Sequence, residues 1–179
     1  KDANASVRFY QEGENYPEII MNVPSLVEGV YQITNKEELY AFALLVNKKV
    51  DASANAVLTA DITVNTGVLK SDGSLADDVS GFTTWTPIGF GVTYTGTFDG
   101  QEHTISGLYF NDSSSDYVGL FGYNNGSIED VGIIESYFKG KDYVGSVCGY
   151  NVVEWFISVK GNTEASIDKC YNTGTVSGN

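Results

Sequence analysis

The chain has one histidine, His103, and two cysteines, Cys148 and Cys170, so few side chains could act as nucleophiles or zinc ligands. A zinc site needs several histidine or cysteine ligands at set spacings, and the Gly-x-Ser-x-Gly nucleophile elbow is absent. Both cysteines fall at repeated positions that elsewhere hold apolar residues. This placement favours buried structural thiols, with a disulfide as the alternative. We expect no catalytic histidine or cysteine.

Carboxylates are more numerous, and two carboxyl groups about 5–9.5 Å apart can hydrolyse a glycosidic bond. The candidates are Asp61, Asp99, Glu129, Asp130 and Asp168. Strands about 4.8 Å apart in a sheet could bring some of them together. Glu129 and Asp168 fit equally well as outward neighbours of a buried isoleucine, and shared fold is weak ground for assigning activity. The sequence therefore favours a protein that is not an enzyme.

Residues 66–83 form a long polar insertion that carries Asp72, Asp77 and Asp78 among three glycines. Carboxylate oxygens in a glycine-containing loop suit calcium, although the spacing differs from that of an EF-hand. We expect a solvated loop and no required cofactor. Calcium bound by these three aspartates is the alternative.

The charge balance restricts the partners. The 179 residues include 23 acidic and 10 basic residues, for a net charge of -13. Nucleic acids and anionic membrane surfaces are bound by clustered Lys and Arg, so we expect neither as a partner. No apolar run approaches the roughly 20 residues of a membrane helix, so we expect no membrane insertion.

One amphipathic helix is predicted at about residues 35–47. Thr34 and Asn35 are both N-cap residue types, and Thr34 with Glu37 fits a capping box. Apolar side chains recur at helical spacing on one face, at Leu39, Phe42, Ala43 and Val46. A lone helix of this kind in a β-rich chain is expected to cover the open end of a β core.

The rest of the chain has the pattern of short strands. Residues 56–64 alternate strictly between apolar and polar side chains, which predicts one half-buried strand. From residue 94 the chain repeats itself, with YTGTFDG at 94–100, YVGLFGYN at 117–124 and YVGSVCGYN at 143–151. The aligned positions are Tyr94, Tyr117 and Tyr143, then Ile105, Ile128 and Ile167.

A repeat of 20–50 residues with several short strands is typical of a solenoid. Parallel crossover connections are almost always right-handed. We therefore predict an all-β fold, a right-handed parallel β-helix with one N-terminal capping helix. Glycines would permit its sharp corners, and Asn124 and Asn151 are expected beside those corners.

Aromatic side chains are the candidate ligand contacts. The last repeat carries an insertion between Asn151 and Ser166 that contains Trp155 and Phe156, and Trp85 precedes the repeats. Inserted loops of solenoids often lie on the binding face. Trp85, Trp155 and Phe156 are thus predicted to bind a ligand if they are exposed. Packing against their own chain is the favoured alternative for the inserted aromatics.

The segments GLFGYNNGSI (119–128), GSVCGYN (145–151) and CYNTGTVSG (170–178) resemble the GLUG-motif repeats of bacterial surface proteins. The resemblance covers about residues 31–179, and the extra residue in GSVCG and the insertion at 152–165 depart from the simple motif. It implies part of a large exported protein, since such repeats occur in adhesin-like surface proteins and in the non-catalytic parts of immunoglobulin-cleaving metallopeptidases.

These observations together define the expected organisation. Residues 1–30 are expected to be a leader or the tail of a preceding region, and residues 31–179 a capped solenoid truncated at its C-terminus. The expected function is that of a monomeric extracellular structural or adhesion module, secreted or attached to the cell surface. Its expected partner is a host glycan or matrix protein. The alternative is a non-catalytic ancillary domain of a larger surface enzyme that degrades peptides or polysaccharides.

Overall fold

The structure is a computed structural model that describes residues 6–8, 20–152 and 165–178. Its elements are short strands and one helix, which confirms the predicted all-β class. The strands are β1 (Ser6–Arg8), β2 (Ile20–Asn22), β3 (Ser25–Val27), β4 (Val30–Ile33), β5 (Asn55–Leu58), β6 (Ile62–Thr63), β7 (Thr97–Asp99), β8 (Thr104–Ser106), β9 (Tyr109–Asn111), β10 (Phe121–Asn124), β11 (Ser127–Glu129), β12 (Gly132–Ile134), β13 (Tyr137–Lys139), β14 (Cys148–Asn151), β15 (Ser166–Asp168), β16 (Tyr171–Asn172) and β17 (Thr175–Ser177), and the helix is α1 (Lys36–Asn47).

The helix forms where it was predicted, but its cap lies one residue later than expected. Asn35 is the N-cap, and its side chain accepts a hydrogen bond of 2.9 Å from the backbone N–H of Glu38. The Glu38 carboxylate in turn accepts from the Thr34 N–H at 2.7 Å. The capping pair is therefore Asn35 with Glu38, not Thr34 with Glu37, and the Glu38 side chain bonds the residue before the N-cap instead of the N-cap itself. Asn and Ser/Thr are comparable N-caps, so the sequence permits either register.

The apolar face of α1 covers the N-terminal part of the core. Leu39, Phe42 and Val46 are completely buried. The Phe42 ring lies 6.3 Å from the ring of Tyr94 and 6.1 Å from that of Phe98. Burial of one helical face against aromatic side chains supplies most of the stability of a helix this short.

Most strands belong to four sheets through which the chain passes in a repeating order. Sheet 1 has the order β3-β4-β5-β7-β11-β15, sheet 2 the order β6-β8-β12-β16, sheet 3 the order β9-β13-β17, and sheet 4 pairs β10 with β14. The chain visits sheets 4, 1, 2 and 3 in turn through β10–β13, which we call the middle layer. It visits them in the same order through β14–β17, the last layer.

Pairing between layers is parallel throughout these four sheets, except that β3 runs antiparallel to β4 at the edge of sheet 1. The strand β3 lies in the segment predicted as a leader, and in the structure it extends sheet 1. Strands β1 and β2 form a separate antiparallel pair.

The segment predicted as one strand at 56–64 is two strands in two sheets. Ala56, Leu58, Ile62 and Val64 are buried, as the alternation predicted. The chain turns between Leu58 and Ile62, so β5 pairs in sheet 1 and β6 in sheet 2. The alternation of apolar and polar residues correctly predicts which side chains face inward. It does not reveal the turn between β5 and β6, because the alternation continues through that turn.

The predicted repeat alignment is correct for the last two repeats and wrong for the first. Ile128 pairs with Ile167, as expected. On its other side Ile128 pairs with Phe98, whereas Ile105 pairs with Ile133 in sheet 2. Any large apolar side chain fills such an inward position, so matching isoleucine to isoleucine misplaced the first repeat.

The predicted conformational role of the asparagines is also corrected. The backbone has positive φ at Tyr117 and Tyr143, with φ of 61° and 56°, and neither asparagine is among the positive-φ residues of the described ranges. Asn124 instead lies in β10 and is completely buried. Its carboxamide accepts from the Gly126 N–H at 3.0 Å and donates to Oδ1 of Asn151 at 2.7 Å.

Two glycines mark places where neighbouring layers approach each other closely. A β-carbon on Gly126 would overlap the carbonyl oxygen of Gly96, and one on Gly96 would overlap that of Ala54. Glycine is needed at both positions because backbone from the neighbouring layer occupies the space of a side chain.

Candidate functional site

The predicted ligand contact Trp85 is a core residue in the structure. Its side chain is completely buried, and its indole Nε1–H donates to the carbonyl oxygens of Gly119 at 3.1 Å and Leu120 at 3.3 Å. The Tyr40 ring packs against it with the ring centres 5.1 Å apart. The ring is therefore inaccessible to a ligand, because the interior supplies both its packing and its hydrogen-bond partners. The other predicted contacts, Trp155 and Phe156, lie outside the described residues.

The three aspartates predicted as calcium ligands are not brought together. Asp72 accepts hydrogen bonds from the N–H and hydroxyl of Ser74, and Asp78 accepts from the Ser80 N–H. Both interactions lower the pKa of the aspartate. Asp77 instead pairs with the Lys70 ammonium group.

Within 6–8, 20–152 and 165–178, no three His, Cys, Asp or Glu side chains are grouped as metal ligands. Each of the three carboxylates is engaged in its own turn or ion pair, and calcium binding by them stays an untested alternative.

His103 and the candidate carboxylates lie on outer surfaces. Nδ1 of His103 is 3.3 Å from Oδ1 of Asp61, which also accepts a 2.8 Å hydrogen bond from the Thr104 N–H. The Thr104 bond is the main reason why the pKa of Asp61 is lowered. Asp61 thereby fixes the start of β8.

Three other carboxylates stand in one row across sheet 1. Asp99, Glu129 and Asp168 occupy paired positions on β7, β11 and β15. They follow the inward-facing residues by one position and so project outward. Asp130 lies at the corner after this row, with its carboxylate 3.5 Å from the Lys169 ammonium group.

Both cysteines are free thiols, and both are partly buried. Cys148 pairs with Phe121 across sheet 4, and burial raises the pKa of its thiol to about 12. Burial also raises the pKa of Cys170, whose thiol is 3.2 Å from the Asp168 carbonyl oxygen. Neither thiol is activated, because a reactive cysteine needs a lowered pKa.

Four tyrosines of the middle and last layers form an aromatic group that we call the tyrosine cluster: Tyr117, Tyr123, Tyr143 and Tyr150. The rings of Tyr117 and Tyr143 are stacked, 4.9 Å apart and 3° from parallel. The ring of Tyr150 meets each of them edge-on, at 5.9 Å and 5.1 Å. Tyr123 and Tyr150 are 5.0 Å apart. Tyr143 is 51% exposed and Tyr117 36%, so the stacked pair stands at the surface.

The backbone holds the stacked pair in an unusual conformation. Tyr117 and Tyr143 both have positive φ, which bulky residues adopt rarely and at a cost of about 1–3 kcal/mol. A β-carbon at Gly122 would lie 2.8 Å from the Tyr117 carbonyl oxygen, and one at Gly149 would lie 2.5 Å from that of Tyr143. The two glycines therefore leave room for the turns that carry the tyrosines.

A groove of about 450 Å³ lies beside Tyr117 and is lined in part by Phe90, Val92, Thr93 and Ser115. Phe90 is 44% exposed. The end of α1 fixes its turn: Asn47 accepts hydrogen bonds from the N–H groups of Gly89 and Phe90 at 2.9 and 3.0 Å. The lining of the groove thus includes two exposed aromatic residues, Phe90 and Tyr117, which belong to different segments of the chain.

One lysine lies beside the two carboxylates near the groove and offsets part of their charge. Asp116 lines the groove, and its carboxylate accepts a 3.1 Å hydrogen bond from the Asp142 N–H. Lys141 contacts Asp142 at 3.1 Å and Asp116 at 4.0 Å, and these carboxylates raise the pKa of the lysine. No lysine or arginine belongs to the lining formed by the described residues.

Sequence reasoning aligned these tyrosines as stacking positions but did not identify them as a surface site. The available signal is the tetrapeptide Asp-Tyr-Val-Gly, which occurs at 116–119 and again at 142–145. No sequence pattern indicates that Phe90 belongs to the same site, because only the fold brings the turn that contains Phe90 next to the repeats.

Comparison with known proteins finds one partial likeness. The chain is 30% identical over 154 residues to a protein named halomucin from Haloquadratum walsbyi. The match covers 85% of this chain, which spans about 2% of the length of halomucin. No family model matches the chain, and no solved structure matches it. In the described part of the chain, the helix is too short or too polar to cross a bilayer.

Proposed function

We propose that this chain is a structural and adhesion module of an extracellular protein, built as a right-handed parallel β-helix of GLUG-type repeats. The observation that carries this proposal is the order of the strands. Two consecutive layers visit sheets 4, 1, 2 and 3 in the same sequence, and equivalent strands pair in parallel and in register. Such a stack buries a continuous core that no single repeat could form.

Equivalent side chains stacked between layers support the same proposal. The inward pair Phe138 and Val176 is in register in sheet 3, and Asn124 contacts Asn151 in sheet 4. Interactions between neighbouring repeats of this kind make a stiff module, because each layer is held by the one beside it. A stiff module is suited to presenting a binding surface at a fixed position.

The extracellular setting is supported by the partial likeness to halomucin, a protein whose name describes it as a mucin. The strongly acidic composition fits such a setting by keeping the chain soluble, and it disfavours nucleic acid as a partner.

The proposed module is not an enzyme. The row formed by Asp99, Glu129 and Asp168 lies on the outer side of sheet 1. The contact between His103 and Asp61 lies at the start of β8 and stabilises that strand. A catalytic carboxylate pair would face a shared groove instead. We propose an oligosaccharide or matrix protein as the binding partner of the module.

Adhesion is tested by applying the purified 179-residue chain to a printed array of neutral and acidic oligosaccharides and matrix proteins. We expect saturable binding to at least one component, unchanged by added calcium or chelator. An absence of saturable binding to every component would contradict the adhesive part of the proposal. Calcium-dependent binding would contradict the assignment of residues 66–83 as a metal-free loop.

A further inference from the structure

We infer that the groove lined by Phe90 and Tyr117 is a binding site for a neutral sugar. This inference rests on the proposed adhesive function and names its site. A sugar ring has apolar C–H faces and polar edges. It therefore suits a groove that offers aromatic faces together with hydroxyl and carboxylate groups.

The aromatic surfaces are the first support. Phe90 and Tyr117 are 44% and 36% exposed and line the same groove. Aromatic side chains that line a concave surface are typical contacts of a bound ligand. The Tyr117 ring is stacked on the parallel ring of Tyr143 at 4.9 Å. It is therefore rigid before a ligand arrives, which reduces the entropy lost on binding.

The repeated turn that carries the tyrosines is the second support. Tyr117 has a φ of 61°, and Tyr143 repeats this conformation in the next layer. Asparagine or glycine would relieve the strain at either position, yet both positions hold tyrosine. Seven other non-glycine residues of the described ranges also have positive φ, so this conformation does not by itself mark a ligand site. Its repetition in consecutive layers places the two tyrosine rings in one stack.

The polar groups select the class of ligand. Asp116, Thr93 and Ser115 are part of the groove lining, and the described lining residues include neither lysine nor arginine. Phosphate, sulfate and other anions are therefore disfavoured, since no described lining residue would offset their charge and the nearby Lys141 is already paired with Asp116 and Asp142. Ligand pockets are typically 300–1,000 Å³, so a volume of about 450 Å³ suits one or two sugar rings.

A cation held by the aromatic faces is the competing ligand. The near-parallel stack of Tyr117 on Tyr143 leaves no gap between these two rings for a cation. Asp116, the one carboxylate among the described lining residues, already lies 4.0 Å from Lys141. Both observations favour the neutral ligand.

The test measures affinity for the oligosaccharide hits of the array in the Phe90→Ala and Tyr117→Asn variants. Asparagine tolerates positive φ, so Tyr117→Asn removes the ring while preserving the turn. We expect each variant to lose at least tenfold in affinity, and Tyr117→Phe to bind within about threefold of the unmodified chain. Tyr171→Ala is the matched control, since Tyr171 is 50% exposed but lies in sheet 2.

Three outcomes would overturn the inference. Unchanged affinity in both Phe90→Ala and Tyr117→Asn would place sugar binding elsewhere while leaving the adhesive function intact. Binding of tetramethylammonium in preference to every neutral sugar would assign the groove to cations. Array binding confined to matrix proteins would support the adhesive function and reject the sugar site.

Discussion

Nδ2 of Asn124 donates a 2.7 Å hydrogen bond to Oδ1 of Asn151, which links consecutive layers through two identical side chains. The same Asn124 carboxamide bonds both the N–H and the carbonyl oxygen of Gly126, each at 3.0 Å. A single buried side chain therefore satisfies its own turn and the neighbouring layer. Buried polar groups that are fully paired specify one arrangement of a core.

Replacing Asn124 with alanine is expected to lower the free energy of unfolding by about 2–3 kcal/mol, because the Gly126 N–H would be left buried without its partner. The quantity to measure is the urea unfolding midpoint. Asn172→Ala is the matched control, because Asn172 makes the same pair of bonds to Gly174 but is exposed to water. Equal losses in the two variants would show that burial of Asn124 is unimportant.

Substitution of Gly126 by alanine is expected to destabilise the chain by at least 1–3 kcal/mol, since the added methyl group would overlap the Gly96 carbonyl oxygen of the neighbouring layer. Thermal unfolding monitored by circular dichroism would report the loss. Gly81→Ala serves for comparison, because a β-carbon there meets no atom within 4 Å. A Gly126→Ala variant as stable as Gly81→Ala would mean that the layers are less closely packed than described.

Cys148 is expected to react very slowly with a thiol reagent in the folded chain. Its pKa is raised from 9.0 to about 12 by burial. At pH 8 an ordinary thiol is about one-tenth ionised, and Cys148 would be roughly a thousandfold less so. The labelling rate of Cys148 is measured in the Cys170→Ser variant. The Cys148→Ser variant reports the labelling rate of Cys170, the less buried thiol. Faster labelling of Cys148 than of Cys170 would contradict its burial.

The same raised pKa predicts a dependence of stability on pH. The folded chain keeps the Cys148 proton at pH values where the unfolded chain loses it. The thiol therefore makes its full contribution to the free energy of unfolding below pH 9, and this contribution falls as the pH rises towards 12. Unfolding midpoints of the unmodified chain and Cys148→Ala should accordingly differ less at pH 10.5 than at pH 8. An unchanged difference would indicate an ordinary thiol pKa.

Asp112 provides the opposite case, at acidic pH. Hydrogen bonds from the hydroxyls of Ser115 and Ser114, and from the Ser114 N–H, lower its pKa from 3.8 to about 2. Its stabilising contribution is therefore present above pH 3.8 and is lost as the pH falls through about 2. Carbon-detected NMR titration should give a midpoint near 2, and the double variant Ser114→Ala, Ser115→Ala should raise it. A midpoint near 3.8 in the unmodified chain would contradict these bonds.

The sequence was sufficient to predict the elements whose pattern is local. The helical face of Leu39, Phe42 and Val46 follows from a spacing within a dozen residues, and the pairing of Ile128 with Ile167 follows from repeated motifs. The first repeat was misaligned because Phe98 occupies the position for which Ile105 was proposed. Burial constrains size and polarity at such positions, and these constraints do not distinguish phenylalanine from isoleucine.

The candidate site was less accessible to sequence reasoning, because it depends on contacts between distant segments. Trp85 was predicted as a ligand contact, but its indole is buried in the core, where its N–H donates to the carbonyl oxygens of Gly119 and Leu120. Nothing local indicates that Tyr117 adopts a positive φ, since tyrosine seldom does so. Asn47 positions Phe90 from more than forty residues away.

The parallel pairing of the layers also determines how the molecule would respond to mechanical force. Hydrogen bonds between strands point from one layer to the next, so tension along the stack would load the bonds of one layer at a time rather than all of them together. The layers would then peel off successively at low force. Each remaining layer would serve as a template on which the next could re-form. A chain built this way would extend and recover under shear, dissipating energy without losing its whole core.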